Sequence, residues 1–428
     1  MEKRRILSLN ETIYFETLEN GLKVKYIQKE NFNKTYVFLG TKYGALYNEF
    51  YMDNKKYSIP LGAAHFLEHQ LFQEEDGTDI SDYFETISLN SNASTDYYMT
   101  TYYINGNENI CKGIEKLLDF VQSPIFKDDS IEKEKGIIVQ ELNMYLDKEY
   151  AILRNGINEN LFKYYPIRFD VGGTIDSIST ITKDDLYNCY NAFYQPNNME
   201  LVIVGGGNWE KYIKVIKDNQ KAKLFVRKDI QPIIKNETDN KAIIQYTEVY
   251  KDLSFPLVGI GLKIIPNFNK KFSMFYLDKI LEIFLEIKYG PTSDIYRYII
   301  DNRLVTNKIN CYHSLDNHSG VIYLNGKTDK PEQLIDYLKK TLVEMNFVIN
   351  EEELNTFKKA HIGEFIKNFD SFSSLGYELI SADFFEQDLF SMEKLIYDLT
   401  PEDFFQLKEY FVEEAITTFL ISNKKNNY

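Results

Sequence analysis

The feature that most constrains the fold is an order of elements that occurs twice. The first half opens with strand text, "GLKVKYIQKE" and "KTYVFLGTKYGALYNEF", where apolar, aromatic and β-branched residues alternate with polar ones. A helical stretch follows, and then "FETISLNSNASTDYYMTTYYINGN", read as strand, Asn/Ser-rich turn and aromatic strand. Helices come next, and "NMELVIVGGGN" closes the half as a buried strand ending in glycines. After a stretch between about Lys221 and Lys241 that loses periodicity, the order returns. It runs through strand "FPLVGIGLKII", helix "SMFYLDKILEIFLEIKYG", strand "VIYLNGKT", two helices from Pro331, and a last strand "AITTFLIS". Strands and helices mixed in the same order in both halves predict two α+β domains of similar fold. The expected boundaries are 1–222 and 241–428, with a linker at 223–240.

Local signals support individual elements. In "NICKGIEKLLDFVQ", Ile110, Ile114, Leu117, Leu118 and Val121 fall on one helical face, and Pro124 ends the helix. "DDSIEKEKGIIVQELNMYLDKEY" is a long helix whose acidic first turn suits the helix dipole. Thr182 caps a shorter helix, "KDDLYNCYNAFY". With 428 residues, 44% of them apolar and 26% charged, the chain has material for more than one core.

The net charge of −15 argues against a general nucleic-acid binder, which needs clustered positive charge. Cys111, Cys189 and Cys311 are far apart and form no CxxC pair, so they read as reduced core thiols of an intracellular protein. The N-terminal apolar run stops at Leu9 and Asn10, too short for a secretory core. No apolar stretch approaches the ~20 residues of a membrane span. The expected location is cytoplasmic.

The chemistry concentrates in "LGAAHFLEHQLF". On a helix, His65 and His69 are one turn apart and share a face, so they can bind one Zn²⁺ at a fixed separation. Glu68 borders that face and can take a proton from an attacking water and pass it to a leaving amine. The order H-x-x-E-H is the inverted zincin signature; an amphipathic helix with two solvated histidines would look the same. A third ligand in this half must be a carboxylate, because the other histidines are His313, His318 and His361. The helix "EKEKGIIVQELNMY" offers Glu134 and Glu141, two turns apart on nearly one face. Ile137, Ile138, Val139, Leu142 and Met144 surround Glu141 in sequence and predict its burial, which is costly for a lone carboxylate without a partner or metal. For Glu134 an exposed place in an acidic first turn is the simpler expectation.

Taken in order, "GAAHFLEHQLF", "LNSNASTDYYMTTYY" and "EKEKGIIVQELNM" resemble the insulinase, pitrilysin and mitochondrial processing peptidase family of inverted zincins. "TKDDLYNCYNAFYQPNNMELVIVGGG" is similar to the stretch that closes the family's first domain. The resemblance implies antiparallel-rich sheets with helices packed on one face, two domains forming half of a clamshell. It implies zinc held by His65, His69 and Glu141, with Glu141 following His69 by 72 residues. Glu68 matches the general base and Glu134 a second glutamate that supports the site. Asn92 and Ala93 match the family's Asn-Ala pair, and with Ser94 and Thr95 they match the edge strand that receives substrate backbone.

The second half departs from the pattern. The family's Arg and Tyr that hold the substrate carbonyl align with Ile300 and with Thr306 or Asn307, which cannot stabilise an oxyanion. Arg297 or Arg303 would substitute only after a register shift. The resemblance is nearest to short bacterial metal-binding subunits, so a related partner chain supplying Arg and Tyr is expected, with a homodimer as the alternative. The implied activity is that of a zinc metalloendopeptidase subunit acting on short or unfolded peptides, in peptide turnover or removal of leader segments. A non-catalytic peptide-binding or scaffold subunit is the rival. "CYHSLDNHSG" has no metal spacing, "VIVGGGN" lacks G-x-G-x-x-G, and Cys189 has no nearby histidine in sequence, so these carry no chemistry here.

Overall fold

In a computed structural model, residues 2–6, 9, 11–268 and 273–423 are described. They form two compact units. The first comprises Met1–Leu142, Asp170–Ile234 and Ile366–Phe390; the second comprises Asn143–Phe169, Lys235–Phe365 and Ser391–Tyr428. The chain therefore passes between units at 142/143, 169/170, 234/235, 365/366 and 390/391, where the sequence reading has a single passage in 223–240.

The first unit carries strands Glu2–Ile6 (β1), Glu11–Thr17 (β2), Lys23–Gln28 (β3), Thr35–Thr41 (β4), Glu49–Met52 (β5), Lys55–Ser58 (β6), Leu89–Thr95 (β7), Thr100–Gly106 (β8), Met199–Gly205 (β9) and Ile230–Pro232 (β10). Its main sheet has the order β1-β2-β3-β9-β4-β8-β7, while β10-β5-β6 form a small second sheet. The second unit has Tyr246–Lys251 (β11), Leu257–Ile264 (β12), Asn310–Leu315 (β13), Gly320–Lys327 (β14) and Ile416–Asn423 (β15), in the order β11-β15-β12-β14-β13. Five strands of the first sheet, β3-β9-β4-β8-β7, repeat this arrangement strand for strand. In each, the first pair is parallel and the other three are antiparallel. The two similar α+β domains read from the order of elements are present. One compositional reading changes: "FETIS" lies mostly in a helix, Ile80–Thr86, and "LNSNAST" is strand β7, the edge strand of the resemblance, rather than a turn.

In the first unit, the histidine helix Ala63–Leu71 (α1) and the helix Ile110–Val121 pack on the β7–β8 side of the sheet; a Cβ at Gly113 would meet Leu89 and Ile104. Ile110, Ile114, Leu117, Leu118 and Val121 are all buried, as their spacing predicts. The long helix Asp128–Leu146 (α2) carries both candidate glutamates. Each unit also takes a helix from the other half of the sequence. Glu149–Leu161 (α3) packs on β12 and β15 in the second unit, and Phe372–Phe384 (α4) packs on β4 and β9 in the first. Both contacts are close because glycines remove the side chains between helix and strand. A Cβ at Gly376 would lie 2.2 Å from the Phe38 ring, and one at Gly156 would lie 2.0 Å from Phe419. Because Phe38 and Gly40 point opposite to Val37 and Leu39 on β4, α4 covers the face that α1 leaves open.

A buried charge cluster pins α4. Lys25 Nζ lies 3.0 Å from Glu200 Oε1 and 2.6 Å from Asp383 Oδ2. Burial pushes the Glu200 carboxyl up from its ordinary 4.5 to about 8; Lys25 opposes the shift and Asp383 reinforces it. The native state thus keeps a proton that the unfolded chain releases near pH 4.5, so this group's contribution to stability falls as pH rises from 4.5 to about 8. Replacing Glu200 with Gln is expected to flatten that part of the pH dependence. Urea-unfolding free energies of both proteins across this range test it, and parallel curves would refute it.

Candidate metal centre

Helix α1 begins after Gly62, whose φ of 85° is strained for residues with a Cβ. Its apolar residues Ala63, Ala64, Phe66, Leu67 and Leu71 are buried, which leaves His65 and His69 one turn apart on a partly exposed face. The two Nε2 atoms face each other at 3.2 Å. Glu141 Oε2, from α2, lies 3.8 Å from His65 Nε2 and 3.7 Å from His69 Nε2. One ligand atom from each of the three residues fits within 4.8 Å of the others, the only such group among the described residues.

The donor set fits a zinc ion. Zn–N bonds of about 2.0–2.1 Å place tetrahedral ligand atoms roughly 3.3 Å apart, close to the separations found. Burial, aided by the neighbouring His69, pushes His65 down to about 4, so its ring is neutral at neutral pH, the form that binds metal. His69 Nδ1 donates to Glu134 Oε1 at 2.9 Å, which fixes the tautomer and turns Nε2 inward. Burial works against charge on His69, but Glu134, Glu68 and Glu141 outweigh it and raise its pKa, so the pocket favours a cation at this point.

The two glutamates of α2 exchange their expected environments. Glu134 is buried, 4% exposed, between His69 and the Gln73 amide, which donates to Glu134 Oε2 at 2.9 Å. Glu141 is half-buried, and its sequence neighbours Ile137 and Met144 are exposed. Only Ile138 and Leu142 face the core, because a helix turns most of an apolar run away from any one surface. Gln73 and Ser130, whose hydroxyl donates to Gln73 Oε1 and lies 3.1 Å from Gln70 Oε1, complete the support. The sequence reading did not include them, although Gln73 follows His69 by one turn.

Glu68 is buried beside the ligand atoms but is not one of the three. Burial raises its carboxyl pKa, and a hydrogen bond from Thr95 Oγ1 to Oε2 opposes the rise. That bond joins the candidate base to the end of β7. Asn92, Ala93, Ser94 and Thr95 all lie on β7, which among the described residues pairs with β8 alone and so is an edge strand; Asn92 and Ser94 are exposed. In the second unit, Ile300 lies in the helix Asp294–Asp301 and Thr306 follows it. Arg297 pairs with Asp294 at 3.1 Å on an exposed surface. Of the discounted "CYHSLDNHSG" group, His313 bonds Asp278 at 2.8 Å and Asp316 accepts the His318 and Ser319 amides.

Residues 51–174 match the family described as "Insulinase (Peptidase family M16)", and residues 180–360 match "Peptidase M16 inactive domain". The chain is 34% identical over 389 residues to an uncharacterized zinc protease of Bacillus subtilis (strain 168), YmfH, with 90% of each chain covered. It is 26% identical over 178 residues to a mitochondrial-processing peptidase β subunit of Arabidopsis thaliana, covering 40% of this chain and 32% of that one. In structure it is similar to an M16-like peptidase of Alicyclobacillus acidocaldarius, with a TM-score of 0.91, 27% identity, and 97% and 99% of the two chains covered. Among the described residues, no helix is long and apolar enough to cross a membrane.

Proposed function

The chain belongs to the insulinase family, peptidase family M16, and from that premise we propose that it is a zinc-dependent endopeptidase subunit. The observation that carries the reading is the convergence of His65, His69 and Glu141 beside a buried Glu68 that is bonded to an open-edged strand. A peptide adding to β7 through its backbone would bind with little dependence on sequence. His65, His69 and Glu141 would hold the zinc, with Glu134 orienting His69. Bound zinc supplies Lewis acidity to the scissile carbonyl and the attacking water. Glu68 accepts the proton of that water as its oxygen attacks the carbonyl carbon. The same carboxyl then returns the proton to the amide nitrogen as the C–N bond breaks.

The substrates we assign are short or unfolded peptides, since an extended strand is what an open edge can pair. Peptide turnover or removal of leader segments fits that class. By the resemblance, Ile300 and either Thr306 or Asn307 take the places of the family's Arg and Tyr, so a related partner chain, or a second copy, would complete the oxyanion contacts. The same departure, with the "inactive domain" match, favours the second reading of a non-catalytic peptide-binding subunit. Metal analysis and a peptide-library cleavage assay, with the chain alone and with proteins that co-purify from the native cell, separate the two. The peptidase reading expects one zinc per chain and cleavage that a partner increases. A chain without zinc, or zinc-loaded chain that cleaves nothing in either setting, overturns it.

A further inference from the structure

We infer that Tyr377 is a positioning residue for Glu68, acting from α4 through the β7–β8 turn and Thr95. The inference rests on the reading of Glu68 as the base. Residues Asp96–Met99 join β7 to β8 in a tight turn closed by Asp96 N donating to Met99 O at 2.9 Å. The Asp96 carboxylate organises it: Oδ1 accepts the amides of Tyr98 at 2.6 Å and Met99 at 2.8 Å. Oδ2 takes no part in the turn, and the Tyr377 hydroxyl donates to it. Immediately after the end of the helix, the Phe385 ring packs edge-on against Tyr98 with centroids 5.0 Å apart.

The turn has no slack on its other side. Ala45 N donates to Asp96 O and Leu46 N to Tyr97 O, and a Cβ at Gly44 would lie 2.4 Å from Asp96 O. The turn is therefore clamped between residues 44–46 and α4, and α4 is itself fixed by Ile380 against Gly40 and by Asp383 on Lys25. Thr95, immediately before the clamped Asp96, donates to Glu68 Oε2 and touches Thr100 Oγ1 at 3.2 Å. A carboxylate that must meet a water within hydrogen-bond reach depends on small displacements. Thr95 is the last pair of the ladder, next to the turn, whereas the six residues Leu89–Ser94 pair with β8 farther from it. Loss of the Tyr377 bond should thus alter the proton transfer more than peptide binding.

The test is steady-state cleavage of a fluorogenic peptide by zinc-loaded Tyr377→Phe, Thr95→Val, Thr95→Ser and the double variant Tyr377→Phe/Thr95→Val. Tyr377 is 36% exposed, so its variant keeps the core intact; Phe385→Leu probes the same clamp independently. We expect Tyr377→Phe to lower kcat about tenfold with KM changed less than about twofold. Thr95→Ser should retain most of the activity that Thr95→Val loses. The double variant should be no slower than Thr95→Val, since both changes break one path. Wild-type kcat in both Tyr377→Phe and Phe385→Leu, or losses that multiply in the double variant, would overturn the inference while leaving Glu68 as the base. A wild-type chain that binds zinc and cleaves nothing overturns the peptidase reading instead, and this inference with it.

Discussion

Glu68→Gln is expected to leave zinc bound and to lower peptide cleavage by about 10²–10⁴-fold, the range general acid–base catalysis contributes. The reason is that Glu68 sits beside the ligand atoms without belonging to them. Gln has the same shape, and its carbonyl oxygen can still accept the Thr95 hydroxyl, so the local geometry survives the change. What is lost is the ability to take a proton and return it. The raised pKa caused by burial suits that task, because it brings the carboxyl nearer the operating pH. Zinc content by elemental analysis and kcat/KM on a cleaved peptide are the two measurements. Full cleavage by the variant would remove Glu68 from the mechanism. Loss of zinc would make it a ligand rather than a base.

The sequence carried this site further than it carried the fold around it. Two histidines at i and i+4 with a glutamate between them share a helix face whatever surrounds the helix, so their meeting followed from spacing alone. Which glutamate of α2 would be buried did not. The apolar run around Glu141 pointed to the wrong one, because only every third or fourth position of the helix faces the core and Glu134 is covered by His69 and Gln73. The repeated order of elements pointed to two similar α+β domains, but not to the strand order that their sheets share. It gave no sign that α3 and α4 each belong to the unit formed mostly by the other half of the chain. An amphipathic helix shows that one face must be buried, not against which sheet; the glycines that admit these helices, Gly156 and Gly376, gain meaning only beside Phe419 and Phe38. By composition Asn and Ser in "NSNAST" read as a turn, while the resemblance matched the stretch to an edge strand; such a strand tolerates polar residues because one side of it faces solvent.

His69→Ala should have the broadest effect of any single change in the chain. It removes one of three ligand atoms, and it also removes the donor to Glu134. Glu134 is then a buried carboxylate held by the Gln73 amide alone. Leaving a buried charged group short of a partner costs about 1–3 kcal/mol or more. Glu134→Gln isolates the second part of this effect. It keeps the ligand and weakens only its orientation, so zinc affinity should fall by about 10–100-fold with cleavage recovered at higher zinc. His69→Ala should lose more than that and should not recover. Thermal unfolding separates the cases, because a ligand present at about 100 times its Kd stabilises the folded state by about 2.7 kcal/mol. Added zinc should raise the Tm of the wild type, raise that of Glu134→Gln only at higher concentration, and leave His69→Ala unmoved. A His69→Ala protein that still gains stability from zinc and still cleaves peptide would show that the metal sits elsewhere.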